Sequence, residues 1–410
     1  MKPLQGVRVV EMGLWVAGPA AAGILADWGA DVVKVEMTAG DPMRRLFGAL
    51  SGSKEERCPP FDLYNRGKKS LALDTNQPQG LEVVRRLLAT ADVFVTNMRP
   101  QYLQRVGLDA DRLAKAHPRL VYASLTAYGL EGPDRDAPGY DMAAFAGRSG
   151  VLDRATPPGE APPAWPGGMG DNVTAMALVA GTCAALYERE KTGRGQLVAT
   201  SLLRTGIYSV GMDLSTRVGL GRIAPVPPRT KPLNPLMNCY RAADGTWFWL
   251  VGAESERHWP GIAQALGAPQ LLADERFAGP RDRRRHAEAL VAAFDGIFAT
   301  RSRDEWAAVF REHEVWWAPI QSADDLLADP QVAAVRAFVQ VPDAQGRLPE
   351  QVNGVATPVD FGGDFCGPAG AVPKVGAHAD PLLADLGFSA AEIAQLREAG
   401  VLARAPEAQA

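Results

Sequence analysis

Val7-Arg-Val-Val-Glu-Met12, then Gly13-Leu-Trp-Val-Ala-Gly-Pro19, then Ala20-Ala-Ala-Gly-Ile-Leu-Ala-Asp-Trp28, then Gly29-Ala-Asp-Val-Val-Lys-Val-Glu36: residues 7–36 run on without a break, and their reading decides the fold. The first run is mostly branched and apolar, as in a strand buried on both faces. The small residues that follow predict a helix over Ala20–Trp28, because alanines lose little freedom in a helix. Gly29 and Asp31 then turn the chain into a second strand, Val32–Glu36. The product is a β-α-β unit. Outward from it the alternation continues: a strand over Ser70–Leu73, a helix over Gln79–Thr90, a strand over Val93–Thr96, short helices over Tyr102–Val106 and Arg112–Ala116, and a strand over Leu120–Leu125. This pattern predicts an α/β fold with a parallel sheet covered on both faces. The fingerprint GxGxxG is missing after the first strand, which disfavours a dinucleotide cofactor, and there is no P-loop.

A second unit is expected further along. Residues 225–235 carry Pro225, Pro227, Pro228, Pro232 and Pro235 and read as an extended linker. Cys239–Val251, with Asp244-Gly245 between two strand-like runs, predicts a β-hairpin with Trp247 and Trp249 on one face. Helices are expected over Ser255–Leu266, Arg283–Phe298 and Arg303–His313, which makes a smaller α+β unit. Towards the end come strands near Phe338–Val341 and Val355–Phe361, helices over Asp380–Leu386 and Ala390–Glu398, and disorder beyond Leu402.

The 410 residues are 47% hydrophobic and 22% charged, ordinary for a globular chain large enough to build its core without disulfide or metal support. A net charge of −4 invites neither nucleic acid nor an anionic membrane. The four cysteines form no CxxC pair and no zinc spacing. The N-terminus lacks a signal-peptide apolar region, and Ala175–Leu186 is too short to span a bilayer. These features predict a soluble, cytoplasmic protein with no metal site.

Chemistry concentrates at Gly167-Gly-Met-Gly-Asp171-Asn-Val-Thr, which leads into a helix that runs from Ala175 to Gly193. Three glycines let a ligand approach the main chain, and the free N–H groups of a helix start favour negative charge. Asp171 is therefore expected at the helix mouth, ionised and unhindered, with the backbone of Gly168, Gly170 and Asn172 available to an oxyanion. The same pattern is also that of an ordinary N-cap.

Taken together, the landmarks resemble family III CoA-transferases, the CaiB/BaiF family that includes formyl-CoA transferase. The resemblance rests on Pro3-Leu-x-Gly6, Ala17-Gly-Pro19, Leu25-x-x-x-Gly-Ala-Asp-Val-x-Lys-Val-Glu36, Tyr64-Asn-Arg-Gly-Lys-Lys-Ser70, Ala91-Asp-Val93, Asn97, Arg105-x-Gly107, Pro118-Arg-Leu-Val-Tyr-Ala-Ser124, Gly170-Asp171, Lys191-Thr-Gly-Arg-Gly-Gln196 and Gly376-x-His378. It implies that Asp171 is a nucleophile passing CoA from an acyl-CoA donor to a carboxylic acid through aspartyl anhydride and aspartyl-CoA thioester intermediates, with no cofactor beyond the CoA ester itself. It implies a Rossmann-like large domain from residues 1–220 and 335–410, a small domain from 225–334, and an interlocked homodimer. By position it assigns CoA contacts to Leu14, Trp15, Asn97, Met98, Arg105 and Tyr140; Lys68 and Lys69 are further candidates for phosphate contact.

Departures accompany the matches. Met37 and Pro138 stand where formyl-CoA transferase has basic residues, and its tetraglycine loop has no equivalent among residues 220–245. Val16 lacks that enzyme's amide. Oxalate and formyl-CoA are thus poor substrates to expect, and Trp15, Val16 and Met237 suit a larger or less polar acyl group. An α-methylacyl-CoA racemase of the same fold is the alternative; it needs a Gly-His-Asp segment, where this chain has Gly139-Tyr140-Asp141. A non-catalytic subunit of a heteromeric transferase is a third reading, which the presence of Asp171 weakens. His378 is expected to be a structural hydrogen-bonder.

Overall fold

A computed structural model of the chain describes residues 2–46, 58–362 and 366–403. The disordered end expected beyond Leu402 lies, from residue 404 on, outside the described residues.

Six strands form one parallel sheet: β1 Arg8–Met12, β2 Asp31–Glu36, β3 Lys69–Ala72, β4 Val93–Thr96, β5 Val121–Thr126 and β6 Leu197–Ser201. Their spatial order is β3-β2-β1-β4-β5-β6, so the winding direction reverses between β1 and β4. β1 registers Val9 against Val32 on one side and against Val93 on the other. The central strands are mostly apolar and buried on both faces because helices cover each face.

One face carries α1, Ala17–Asp27, which is buried along its whole length. A helix buried all round must be apolar all round, and small side chains let it lie close to the sheet. The expected Ala20–Trp28 helix thus begins three residues earlier. Over the other face lie α3, Pro78–Leu88, and the helices Ala379–Asp385 and Ala390–Glu398, which share a core with Val10, Val33, Leu71 and Phe94. Between these elements come α2 Pro59–Asn65, α4 Pro100–Val106 and α5 Ala110–Ala116. The long helix α6, Met169–Thr192, packs its buried side on the α1 core and ends at Gly193, whose φ of 72° only glycine adopts freely. It is the one helix among the described residues long and apolar enough to cross a membrane, and 44% of its most apolar window is buried in the protein. After β6 come α7 Leu202–Ser209 and α8 Gly211–Leu220.

The chain divides into two compact units, one of Met1–Asp153, Pro163–Ile223 and Ala334–Ala410, the other of Arg154–Pro162 and Ala224–Ala333. The second holds an antiparallel sheet of β7 Met237–Arg241, β8 Trp247–Val251 and β9 Trp317–Pro319. The expected hairpin is there, with Gly245 at φ 83° in its turn. Phe248 and Leu250 point into an aromatic core with Tyr240, Phe294, Phe298 and Phe310, leaving Trp247 and Trp249 on the opposite face. The helix expected over Arg283–Phe298 is broken at His286, into Pro280–Arg285 and Ala287–Phe298.

Candidate active site

In an open parallel sheet the chain ends of neighbouring strands part where the winding reverses, and ligands occupy that crevice. Here the reversal sets the loop after β1 beside the loop after β4. Asn97 joins them: its side chain accepts the Leu14 N–H at 2.9 Å and donates to the Leu14 carbonyl at 2.8 Å. A Cβ on Gly18 would stand 2.9 Å from Asn97 Oδ1, so glycine is what admits this clamp.

Trp15, next in line, holds a left-handed backbone with φ 65°, rare for a bulky residue and costly unless its surroundings impose it. The surroundings are an ion-pair cluster sealed from water. Lys34 reaches Glu11 at 2.8 Å, Asp41 at 3.0 Å and the Gly13 carbonyl at 3.0 Å. Asp41 in turn accepts the Trp15 N–H at 3.3 Å. Lys68 completes the cluster through Glu11 at 2.5 Å and the Pro19 carbonyl at 2.9 Å, and burial brings its ammonium down to about 8, only partly offset by Glu11. The phosphate role considered for Lys68 is thereby excluded, since its ammonium is spent inside the protein. Lys69 pairs at the surface with Asp31, 2.7 Å away.

The crevice is a cavity of about 250 Å³. Leu14, Trp15, Asn97, Met98, Tyr140 and Asp171, six of the residues expected at the site, line it together. Tyr140 is largely exposed and stands edge-on to Trp15 with ring centroids 6.3 Å apart. Arg105 is not in the lining; its guanidinium lies on the Tyr102 ring, 5.2 Å from the centroid. Instead the cations at this cavity are Arg99 and Arg135, both exposed. Neither lies in a recognisable motif, so only the fold reveals them. A second hollow of about 370 Å³ over the ends of β1 to β3 shares Leu14 and Met98 with the first.

At the helix start the expectation needs correcting. Gly168, at φ 78°, takes the N-cap position, and Asp171 is the third helical residue. The backbone donors expected to face an oxyanion are engaged. Asp141, buried, accepts the Gly170 N–H at 3.2 Å on each oxygen, and further N–H groups from Gly168 and Asp171. Trp165 Nε1 donates to the same carboxylate at 3.2 Å. The Asn172 N–H is taken by the Gly168 carbonyl at 2.9 Å. Gly170 is glycine because a Cβ there would overlap Phe145 and the Asp141 carboxylate.

Among the described residues, Asp171 is consequently left without a hydrogen-bond donor of its own. Burial, and then the Asp141 charge, push its carboxyl up to about 7, so it is far less readily ionised than expected. The nearby polar groups are side chains: the buried Tyr64 hydroxyl, paired with the Asn172 side chain and close enough to Asp171 and Asp141 to feel both charges. Tyr64 and Asp141 are the residues that sequence reading missed as site groups. Both stood in quoted motifs, yet the spacing of 29 residues between Asp141 and Gly170 carries no local signal.

No histidine lines the cavity. His378 accepts the Ser70 N–H on Nδ1 at 3.1 Å, which is a structural role. Among the described residues no group of three or more His, Cys, Asp or Glu side chains is placed to hold a metal.

Comparison with known proteins gives a consistent picture. The family CoA-transferase family III matches residues 4–379. The (R)-2-hydroxy-4-methylpentanoate CoA-transferase of Clostridioides difficile is 32% identical over 97% of this chain and 99% of its own. The cinnamoyl-CoA:phenyllactate CoA-transferase of Clostridium sporogenes is 34% identical over 80% of this chain and 81% of its own. Among solved structures, a CAIB/BAIF family protein from Brucella suis superposes with a TM-score of 0.82 at 29% identity, over 94% of this chain and 99% of that one.

Proposed function

We propose, from the premise that this chain belongs to CoA-transferase family III, that Asp171 is the group on which it carries CoA from an acyl-CoA to a carboxylic acid. The observation that supports this most is the placement of Asp171: a carboxylate facing the cavity at the switch point of the sheet, with no hydrogen-bond donor among the described residues. In the scheme, ionised Asp171 attacks the thioester carbonyl, giving an aspartyl anhydride and CoA thiolate. The thiolate attacks the aspartyl carbonyl, giving aspartyl-CoA thioester and releasing the first carboxylate. The acceptor carboxylate then displaces the thiolate to form a second anhydride, and the thiolate attacks its acyl carbonyl, regenerating Asp171 and delivering the new acyl-CoA. Each step exchanges one activated acyl group for another, so the scheme needs neither ATP nor a metal.

With the helix donors held by Asp141, the Tyr64 hydroxyl and the Asn172 side chain are the groups we assign to the developing oxyanion. Arg99 and Arg135 are assigned to the CoA phosphates, since the planar guanidinium fork suits phosphate geometry. Leu14, Trp15 and Met98 would flank the thioester arm, and Asn97 would act by fixing Leu14. The racemase reading is disfavoured because Tyr140 stands where an acid/base histidine is required. Homodimer formation is part of the proposal: α7 and α8 leave Tyr208, Met212 and Val218 at least 85% exposed, an apolar face of the kind partner subunits cover. A reducing cytoplasm suits four unpaired cysteines.

The test is to quench the protein with hydroxylamine after mixing it with an acyl-CoA, and to map the peptide carrying residue 171. A hydroxamate at Asp171, with transfer abolished in Asp171→Asn, is the expected result. Transfer that persists in Asp171→Asn would overturn the assignment.

A further inference from the structure

The loop after β1 is fastened from beneath at several points. Lys34 Nζ donates to the Gly13 carbonyl at 3.0 Å, Asn97 engages both polar groups of Leu14, and Lys68 Nζ donates to the Pro19 carbonyl at 2.9 Å. Between these points the Trp15 N–H donates to Asp41 Oδ1 at 3.3 Å. Trp15 is also where the loop is strained: its φ of 65° suits glycine, and a half-buried tryptophan relaxes from it unless it is held. The ring placed in this way lines the cavity with Asp171 and meets Tyr140 edge-on.

Asp41 is itself firmly anchored. It is buried and caps the turn Pro42–Arg45, accepting the Met43 N–H at 2.9 Å. Its own N–H donates to Glu36 Oε2 at 2.9 Å, and Arg44 grips the same Glu36 carboxylate through bonds of 2.9 and 2.8 Å. Its second oxygen pairs with Lys34 at 3.0 Å. Burial works against the Lys34 ammonium, yet the Glu11 and Asp41 charges hold its proton above the ordinary lysine range. A charged acceptor grips an N–H more strongly than a neutral one. From this geometry we infer that Asp41 and Lys34 are positioning residues for the acyl-CoA site: they keep the Gly13–Trp15 backbone in the conformation that sets the Trp15 ring against the cavity before substrate arrives. The inference rests on the acyl-CoA reading of that cavity given above. Without the hold, the loop is competent for only part of the time. Apparent affinity then falls by that fraction, while the complex, once formed, reacts as before.

The cluster sets two ammoniums, Lys34 and Lys68, against Glu11 and Asp41. Lys34→Met combined with Asp41→Asn therefore leaves Lys68 opposite Glu11 and no bare charge. The experiment compares this double variant, and Asp41→Asn alone, with the unaltered full chain. The probe is S-ethyl-CoA, a thioether that Asp171 cannot cleave, and its Kd is read by calorimetry. Labelling with 5-fluorotryptophan reports the indoles by fluorine NMR, the Trp15 resonance being assigned from Trp15→Phe. Both variants are expected to bind the probe about tenfold more weakly and to show a shifted or split Trp15 resonance, the other tryptophan resonances staying in place. With an acyl-CoA that labels Asp171, the saturating rate should stay within about threefold of the unaltered chain's. An unchanged Kd or an unmoved Trp15 resonance in the double variant overturns this inference alone, and so do resonances that all move together. A probe that fails to bind the unaltered chain, or binds without moving its Trp15 resonance, overturns the acyl-CoA reading of the cavity, and this inference with it. Trp15→Gly and Trp15→Ala check the hold with the cluster intact. Glycine is expected to lower the unfolding constant by about fivefold relative to alanine, and equal stability would overturn the inference even if neither cluster variant folds.

Discussion

A carboxyl withdrawn from water and set beside a second carboxylate holds its proton more tightly in the folded chain than in the unfolded one. For Asp171 that brings titration to about 7, against an ordinary value of 3.8. Between these values the folded state binds the extra proton, so the contribution to stability is greatest below about pH 4 and falls as pH rises through 7. At about 1.4 kcal/mol per unit the effect reaches ~4 kcal/mol before allowance for residual solvent. Asp171→Asn is therefore expected to stabilise the protein by about 2–4 kcal/mol at pH 8 and hardly at all at pH 4, measured by urea unfolding at both. The same titration predicts a transfer rate that rises with pH through about 7. Asp141→Asn removes the neighbouring charge, and the rising limb should move to lower pH. A limb that stays in place would show that burial alone sets it.

The elements explain which parts of this site a linear reading could reach. β1, α1 and β2 were legible because each is longer than the turn that joins it to the next, and composition alone separates branched strands from the alanine-rich helix. β6 escaped notice: Leu197–Ser201 is an edge strand, alternating in burial and short, directly after a helix stop. At the head of α6 the three glycines are legible as a turn, yet which of them caps the helix depends on Gly168 being left-handed, and that puts Asp171 at the third helical position instead of the cap. Asp141 and Tyr64 reach the site from distant segments, so no spacing announces them. Asn97 was legible as a site residue, while its bonds to Leu14 give it a positioning role. Gly170→Ala is the sharpest check of the helix head. Its Cβ would displace Phe145 and Asp141, costing about 2–3 kcal/mol and returning the helix donors to solvent, read as a fall in the urea midpoint.

On the scale of the molecule, the larger unit is stitched from segments far apart in the chain. Arg66 binds Asp27 at 2.7 Å, with both side chains buried, and donates to the Val355 carbonyl at 2.7 Å. Asp27 also accepts the Ala369 N–H at 2.9 Å. The Gly376 N–H meets Ser70 Oγ at 2.8 Å, and Leu73 bridges to Leu402 beyond the outer strand of the sheet. Breaking a buried pair leaves a bare charge, so Arg66→Met is expected to destabilise by about 3–5 kcal/mol, and adding Asp27→Leu should recover much of the loss. Removal of residues 335–410 is expected to uncover Leu71, Leu73 and Val84 and to drive the remainder into aggregates, seen by light scattering. The consequence reaches back to synthesis. When β1 to β6 have left the ribosome, Val355, Ala369 and Gly376, which bond to Arg66, Asp27 and Ser70, have yet to be translated, and the whole of Ala224–Ala333 emerges before them. The nascent sheet must wait with one face covered by α3 but still without the helices Ala379–Asp385 and Ala390–Glu398, so the speed of translation through the middle of the message, and the chaperones present during that interval, bear on how much of this enzyme survives its own birth.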